Sequence, residues 1–420
     1  MTNLPGELPQ RTKRGVRLAR TVAKRGSRTL NGRLQELQVG DEFGPKAADD
    51  FVAAAYFGSD IDSVYQLEQW LWPMEKLATK LREHGYGEQP FGILTRDIAA
   101  ARHLREVTEI PVRFSRLTAG VDEFMNSDRL RLVFYVNQAT GNFQGLRYPG
   151  PAHVHLSHGE SEKISMISNQ LKAYDYVFTA GQAARERIGR TLVGMSTERL
   201  LDVGRPQLDR PREVPQVWRD FDRQAPAGTT VFYAPTWEGD SPSMAYGTLA
   251  DNGGVFVSAM LEAGYRVLFR PHPRTGVRDR AFKKALDEVC SMIDEHPRGF
   301  LDSTMDVSWQ FCVADRALAE MSSVAFDWLS TRKPLVMIKS CHSDSIVPPG
   351  GLLDRTPTVG KGSEGKLIEL LTEREDSAET AEQLCEYYLG ATAPGDQIGR
   401  FISATEQVIT ERNRTLSGSL

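Results

Sequence analysis

The sequence predicts an α/β protein built as two doubly wound parallel-sheet domains that face a cleft. Three observations predict it. From about residue 50, short apolar segments alternate with segments of helical periodicity. A stretch holding Pro211, Pro215, Pro226 and Gly228 interrupts that alternation once, after which it restarts. The length of 420 residues suits two or three domains of about 100–200 residues each.

The elements follow in order. Residues 51–57 are apolar and partly aromatic and end at Gly58, as a buried strand does. Residues 65–82 place Leu67, Trp70, Leu71, Met74 and Leu77 at helical spacing. A strand is expected over 91–94, a helix over 98–107, and a fully buried strand over 130–136. The strand 152–156 runs into Ser157-His158-Gly159-Glu160, and 161–171 has a helical pattern. A strand at 176–179, a helix at 182–188 and a strand at 200–203 complete the first block. Residues 211–229 read as the linker. The second block has strands at 230–234, 266–270, 313–318 and 335–338, and helices at 254–263, 281–293 and 322–329. Three helices close the chain, near 363–373, 376–389 and 396–412. The boundaries that result are an arm over 1–33, a first domain over 34–212 and a second over 213–420. Strands alternating with helices give parallel sheets, and open parallel sheets bind ligands beyond the carboxyl ends of their strands.

Charge and cysteine usage narrow the class. The net charge of −4 argues against a dedicated nucleic-acid binder. Within the first 33 residues nine lysines and arginines face Glu7 alone, so a local charge of +8 leaves −12 on the rest. That basic arm reads either as a solvated tail or, over residues 11–28, as a contact for an anionic membrane surface. Cys290, Cys312, Cys341 and Cys385 are scattered, with neither a zinc-ligand spacing nor a disulfide framework. No apolar run reaches the roughly 18 residues of a membrane helix, and no secretory signal follows the basic start. These features point to the cytoplasm, with the arm at the inner face of the membrane as the further expectation. No metal site and no cofactor is expected, since no compact carboxylate cluster is apparent and cationic side chains can take a metal's place, and P-loop, HExxH and GxSxG patterns are absent as well.

Four motifs sit at expected strand ends. His158, in Ser157-His158-Gly159-Glu160, is placed as a general base, because imidazole titrates near pH 6.5. The plainer reading is a capping turn with an incidental histidine. His153 and His155 precede it in the strand, where alternation puts both on the same face as each other, and read as structural. In Tyr233-Ala234-Pro235-Thr236-Trp237-Glu238, Thr236 can donate to a phosphate oxygen; a strand ending in a proline turn explains the same residues. Arg270 and His272, stiffened by Pro271 and Pro273, suit a pyrophosphate clamp or a surface turn. Ser322 and Ser323 sit where a strand turns into a helix, a place for a phosphate or for an ordinary serine cap.

In this order and spacing the motifs resemble the CDP-glycerol glycerophosphotransferase family, which builds teichoic-acid-like and capsule-like polymers. The resemblance spans roughly residues 50–405 and is strongest over 156–338. It rests also on Gln66-Leu67-Glu68-Gln69-Trp70, Tyr174-Asp175-Tyr176-Val177-Phe178, Tyr233-Ala234-Pro235-Thr236-Trp237, His272-Pro273, Ser322-Ser323-Val324-Ala325-Phe326-Asp327 and Pro394-Gly395-Asp396. It implies a GT-B-like fold of two Rossmann-type domains, with an acceptor-side first domain and a donor-binding second domain. It implies His158 as the family's histidine base, and His272, Ser322 and Ser323, with Thr236 and Arg270, as contacts to the donor's phosphates. Two departures stand out. Glu160 and Ser161 occupy the positions where the family has threonine and proline, and Met321 replaces a tyrosine before the serine pair, where Glu320 keeps the acid.

The activity implied is transfer of glycerol phosphate, or a related polyol phosphate such as ribitol phosphate, from CDP-glycerol to a hydroxyl of an envelope polymer or lipid-linked primer. His158 takes the acceptor's proton as its oxygen attacks the β-phosphorus, CMP leaves, and Arg270, His272 and the serine pair stabilise the charge. Two other readings share these features: a GT-B glycosyltransferase using a nucleotide sugar, and an inactive nucleotide-binding scaffold of envelope assembly.

Overall fold

A computed structural model describes residues 40–46, 49–304, 307–372 and 378–418. The basic arm of residues 1–33, and the membrane contact expected over 11–28, lie outside the described residues. The chain divides into two compact units, residues 1–153 with 412–420, and residues 154–411.

The first sheet is built from β1 (Ala53–Phe57), β2 (Phe91–Thr95), β3 (Val112–Phe114), β4 (Leu132–Tyr135), β5 (Ala152–His155), β6 (Tyr176–Thr179) and β7 (Leu200–Asp202), in the order β3-β2-β1-β4-β5-β6-β7. β1 runs parallel to β2 and to β4. Every residue of β1 and of β2 is buried, the pattern of strands covered by helices on both faces. In the first unit the helix Tyr65–Glu83 turns Leu67, Trp70, Met74, Leu77 and Leu81 inward. Asp97 caps the helix Ile98–Val107 by accepting from the Ala100 N–H at 2.9 Å.

The second sheet lies within the second unit. Its strands are β8 (Thr230–Ala234), β9 (Arg266–Phe269), β10 (Gly299–Leu301), β11 (Arg316–Ala319), β12 (Leu335–Ile338) and β13 (Thr358–Val359), in the order β10-β9-β8-β11-β12-β13. β8 pairs in parallel with β9 on one side and with β11 on the other. Chain order therefore reverses between β8 and β11, which makes the carboxyl ends of these two strands the topological switch point. Alternation along β8 feeds two cores. Phe232 and Ala234 pack on one face with Leu268, Trp309, Trp328 and Tyr388. Val231 and Tyr233 pack on the other with Phe256, Val267, Phe282 and Val336.

Several local expectations change. β3, β10 and β13 are short strands of two or three residues, too brief to show a periodicity. The stretch read as linker contains a helix, Gln216–Gln224, bracketed by the prolines rather than broken by them. Trp218 from that helix is buried, with its ring 5.0 Å from Phe300 and 5.5 Å from Trp309. The helix expected over 161–171 is absent. In its place are two 3₁₀ turns, Ile164–Met166 and Asn169–Ala173. Among the described residues no helix is long and apolar enough to cross a membrane.

Candidate active site

The site is assembled within the second unit, where the turn after β5 meets the strand ends of the second sheet. Ser157 adopts φ 63°, a left-handed conformation that costs a non-glycine residue about 1–2 kcal/mol, and its hydroxyl donates to the Gly159 carbonyl at 2.9 Å. The turn so formed leaves His158 partly exposed and Gly159 buried. A Cβ on Gly159 would stand 2.9 Å from the Ser323 Cβ, so only glycine permits this approach. The histidine turn and the serine pair, with Gly159 and Ser323 164 positions apart in sequence, are thus brought together.

The acids after Gly159 turn inward. Glu160 pairs with Arg187, whose guanidinium also donates to the Ser161 carbonyl at 3.2 Å. Burial pushes the Glu160 carboxyl up, and Arg187 pulls against it. Glu162 accepts from the Leu352 N–H at 2.8 Å and from the Tyr388 hydroxyl at 2.8 Å. The next residue, Lys163, reaches back toward the second sheet, with its ammonium 3.4 Å from the Thr236 hydroxyl and 5.5 Å from the Tyr246 ring.

At the switch point, Glu320 follows β11 and is fully buried. One of its oxygens accepts from the Thr236 N–H at 2.7 Å; the other accepts from the Thr248 N–H at 2.7 Å and the Thr248 hydroxyl at 2.5 Å. Burial pushes its carboxyl up to about 7, against these three bonds. Glu320 thereby ties the loop after β8 to the loop after β11. Ser322 stands at the N-cap position of the helix Ser323–Trp328, yet its side chain makes no cap hydrogen bond. Its hydroxyl is buried and has no partner among the described residues. A buried orphan hydroxyl is costly unless something else satisfies it.

The loop after β9 holds Arg270 and His272 in different ways. Arg270 donates to Asp302 at 2.6 Å and to Thr304 at 3.3 Å, and Asp302 also takes the Gln310 amide at 2.5 Å. The Arg270 guanidinium is therefore engaged in a buried ion pair. His272 stands two positions further on. Burial, and then the charges of Lys163 and Arg274, pull it down to about 4, so it is neutral at pH 7. Its Nδ1 accepts from the Arg274 N–H at 3.1 Å, which assigns the proton to Nε2 and leaves a neutral N–H donor. Its ring stacks with Trp237 at 6.2 Å, and the Arg274 guanidinium covers Trp237 at 3.8 Å.

Of the sequence-expected residues, Ser323 meets Gly159, the neighbour of His158; Thr236 is tied to Glu320, two positions before Ser322, and is reached by Lys163, whose charge also acts on His272. His153 is held at both nitrogens, by the Tyr135 hydroxyl at 2.9 Å and the Tyr148 carbonyl at 2.8 Å. Sequence reasoning missed Lys163, because a helix over 161–171 would have put it on a solvated face. It also missed Arg205, which grips Asp327 with two bonds, of 2.8 and 3.2 Å, from the Gly204-Arg205-Pro206 turn after β7. The one signal for that pair was an aspartate closing the serine motif. Among the described residues no cluster of three or more metal-ligating side chains occurs.

Comparison with known proteins follows the same geometry. Residues 153–340 match the family model described as CDP-glycerol:poly(glycerophosphate) glycerophosphotransferase. That span contains β5, the histidine turn and β8 to β12. No curated protein matches the chain by sequence. Among solved structures, the wall teichoic acid polymerase TagF superposes with a TM-score of 0.53 at 14% identity, covering 97% of this chain and 100% of that one. A Listeria monocytogenes protein assigned as a UDP-N-acetylglucosamine 2-epimerase gives 0.57 at 11% identity, covering 86% and 97%. A glycosyltransferase from Rickettsia africae gives 0.52 at 8% identity, covering 86% and 99%. At these identities the likeness is one of fold, and the fold is GT-B-like. Residues 153–340, a little under half of the chain, thus resemble the CDP-glycerol:poly(glycerophosphate) glycerophosphotransferase family, and the chain as a whole has a GT-B-like fold.

Proposed function

We propose that the chain transfers glycerol phosphate from CDP-glycerol to a hydroxyl of a cell-envelope polymer or lipid-linked primer and releases CMP. The observation that supports this reading is the approach of Gly159, the neighbour of His158 in the chain, to Ser323, whose own neighbour Ser322 keeps a buried hydroxyl with no partner among the described residues. TagF, whose fold the chain shares, has also been solved as a histidine-to-asparagine variant soaked with CDPG, at a TM-score of 0.52 to this chain. The chemistry is an in-line displacement. The acceptor oxygen bonds to the β-phosphorus, the bond from that phosphorus to the bridging oxygen breaks, the proton goes to His158, and CMP carries away the electron pair. Positioning and preorganised donors supply most of the acceleration in such transfers, and a general base adds about 10²–10⁴.

In this reading Ser322, Ser323, Thr236 and the Nε2–H of His272 face the donor's phosphates, and Arg270 acts behind them by fixing the loop after β9 through Asp302. The domain limits at 34–212 and 213–420, the acceptor side on the first and the donor side on the second, belong to the same proposal. So does the basic arm of residues 1–33 as a contact for an anionic membrane face, with each lysine or arginine worth about 1 kcal/mol there. The test is release of the nucleotide from CDP-glycerol, CDP-ribitol and UDP-sugars in parallel, with a lipid-linked or polymeric acceptor supplied. Acceptor-dependent CMP from CDP-glycerol supports the reading. UDP from a sugar nucleotide, with no CMP from either cytidine donor, moves the chain to the glycosyltransferases.

A further inference from the structure

Lys163 is a partly buried cation with no carboxylate at ion-pair distance among the described residues. Its nearest polar contact is the Thr236 hydroxyl at 3.4 Å, and its ammonium faces the Tyr246 ring at 5.5 Å. Neither neighbour cancels a charge. Glu320, the carboxylate that acts on it most strongly, has both oxygens occupied by Thr236 and Thr248. Asp240 acts on it more weakly. Burial pulls the lysine down to about 8. Its charge in turn reaches His272 across the same space and helps to hold that imidazole neutral.

These neighbours are groups that an anion would pair with. The lysine ammonium lies against the threonine hydroxyl and its charge acts on the neutral imidazole of His272, and the three residues come from three different loops: the turn after β5, the loop after β8 and the loop after β9. Buried charges are almost always paired, and leaving one unpaired costs several kcal/mol. An anionic ligand removes that cost, whereas a neutral one does not. The backbone around the lysine is also fixed. Glu162, one position earlier, is anchored to the Leu352 N–H and the Tyr388 hydroxyl, so Lys163 leaves its loop in a set direction.

We propose that Lys163 is a further substrate-contacting residue, whose ammonium binds the pyrophosphate of the nucleotide donor between Thr236 and His272 and stays with the phosphate of the departing nucleotide. The inference deepens the proposed transfer and rests on it for the identity of the donor. In the transfer step the electron pair released from the breaking bond goes to the phosphate oxygen of CMP, and Lys163 meets that charge while His158 holds the acceptor's proton.

The test measures binding to the full-length chain by calorimetry, with cytidine, CMP, CDP, UDP and inorganic pyrophosphate as probes, for the wild type, Lys163→Met and Lys163→Arg. Loss of one charge-assisted contact is expected to weaken CDP and pyrophosphate about ten- to a hundredfold in Lys163→Met. Cytidine, which has no phosphate, should bind both proteins equally, and Lys163→Arg should recover part of the loss. Thermal unfolding of Lys163→Met at or above the wild-type temperature confirms that the variant folds. CDP and pyrophosphate binding equal to wild type in Lys163→Met would overturn the assignment, as would a wild type that binds none of the phosphate-bearing probes. Wild-type preference for UDP over CDP, weakened by Lys163→Met, would keep the lysine's role and overturn the cytidine donor instead.

Discussion

A serine at the start of a helix ordinarily accepts a hydrogen bond from the first turn, and its replacement by alanine then costs about 0.5–2 kcal/mol. Ser322 makes no such bond and keeps its hydroxyl buried and unpartnered. Ser322→Ala should therefore leave the thermal midpoint unchanged or higher, while donor affinity falls about three- to tenfold. A destabilised variant with intact donor binding would return the residue to a capping role. His155 gives a second prediction. Its Nδ1 is buried without a partner, its ring lies 5.1 Å from Tyr174, and burial, helped by His158, pulls it from 6.5 to about 3. The unfolded chain takes a proton below pH 6.5 that the folded chain refuses until about pH 3. The stability His155 contributes is therefore present above pH 6.5 and is lost as pH falls toward 3, at about 1.4 kcal/mol per pH unit. His155→Phe keeps a ring against Tyr174 and should flatten the denaturation midpoint against pH between 4 and 6.5; parallel profiles for the two proteins would contradict this. Residue identities and order were legible in the sequence, including His158, Thr236, His272 and the serine pair. Their partners were not. Arg187, Tyr388 and Asp302 meet Glu160, Glu162 and Arg270 through the fold, and no one-dimensional pattern announces such pairs.

At the scale of elements, the strands and long helices were readable because burial on both faces leaves continuous apolar runs, and burial on one face leaves a period near 3.6. The stretch 161–171 misled because its apolar residues happen to fall at helical spacing. Residues 159–162 are buried in succession, unlike the start of an amphipathic surface helix, which turns a polar face to solvent. The chain there is instead pulled two ways, Glu160 toward the helix Gln182–Thr191 and Glu162 toward the helix Ala378–Leu389. The helix Ser323–Trp328 is held by a different device. Arg205 grips its Asp327, and both side chains are largely buried. Removing one partner of a buried pair leaves the other charged and alone, so Asp327→Ala should lower the unfolding free energy by about 3–5 kcal/mol. Urea denaturation at unchanged slope measures this. A loss below about 1 kcal/mol, the size of an exposed pair, would show that solvent already screens Arg205.

For the whole molecule, two parallel sheets with reversed strand order place ligand sites beyond strand ends, and this much followed from the alternation alone. The switch point between β8 and β11 did not follow, because strand order depends on which neighbours pair. Its consequence is that Thr236 and Glu320, drawn from two separate motifs, are hydrogen-bonded to each other, with Glu320 two positions before Ser322. The family match over residues 153–340 covers these residues and the histidine turn. The central claim is that His158 removes the acceptor's proton while the serine pair and its neighbours hold the donor. Single-turnover release of CMP from CDP-glycerol by His158→Ala, measured with acceptor present and beside donor binding by the same protein, tests it most directly. Turnover reduced about 10²–10⁴-fold with donor affinity kept within twofold is the predicted result. Turnover near wild type, or donor affinity lost in step with turnover, would contradict it.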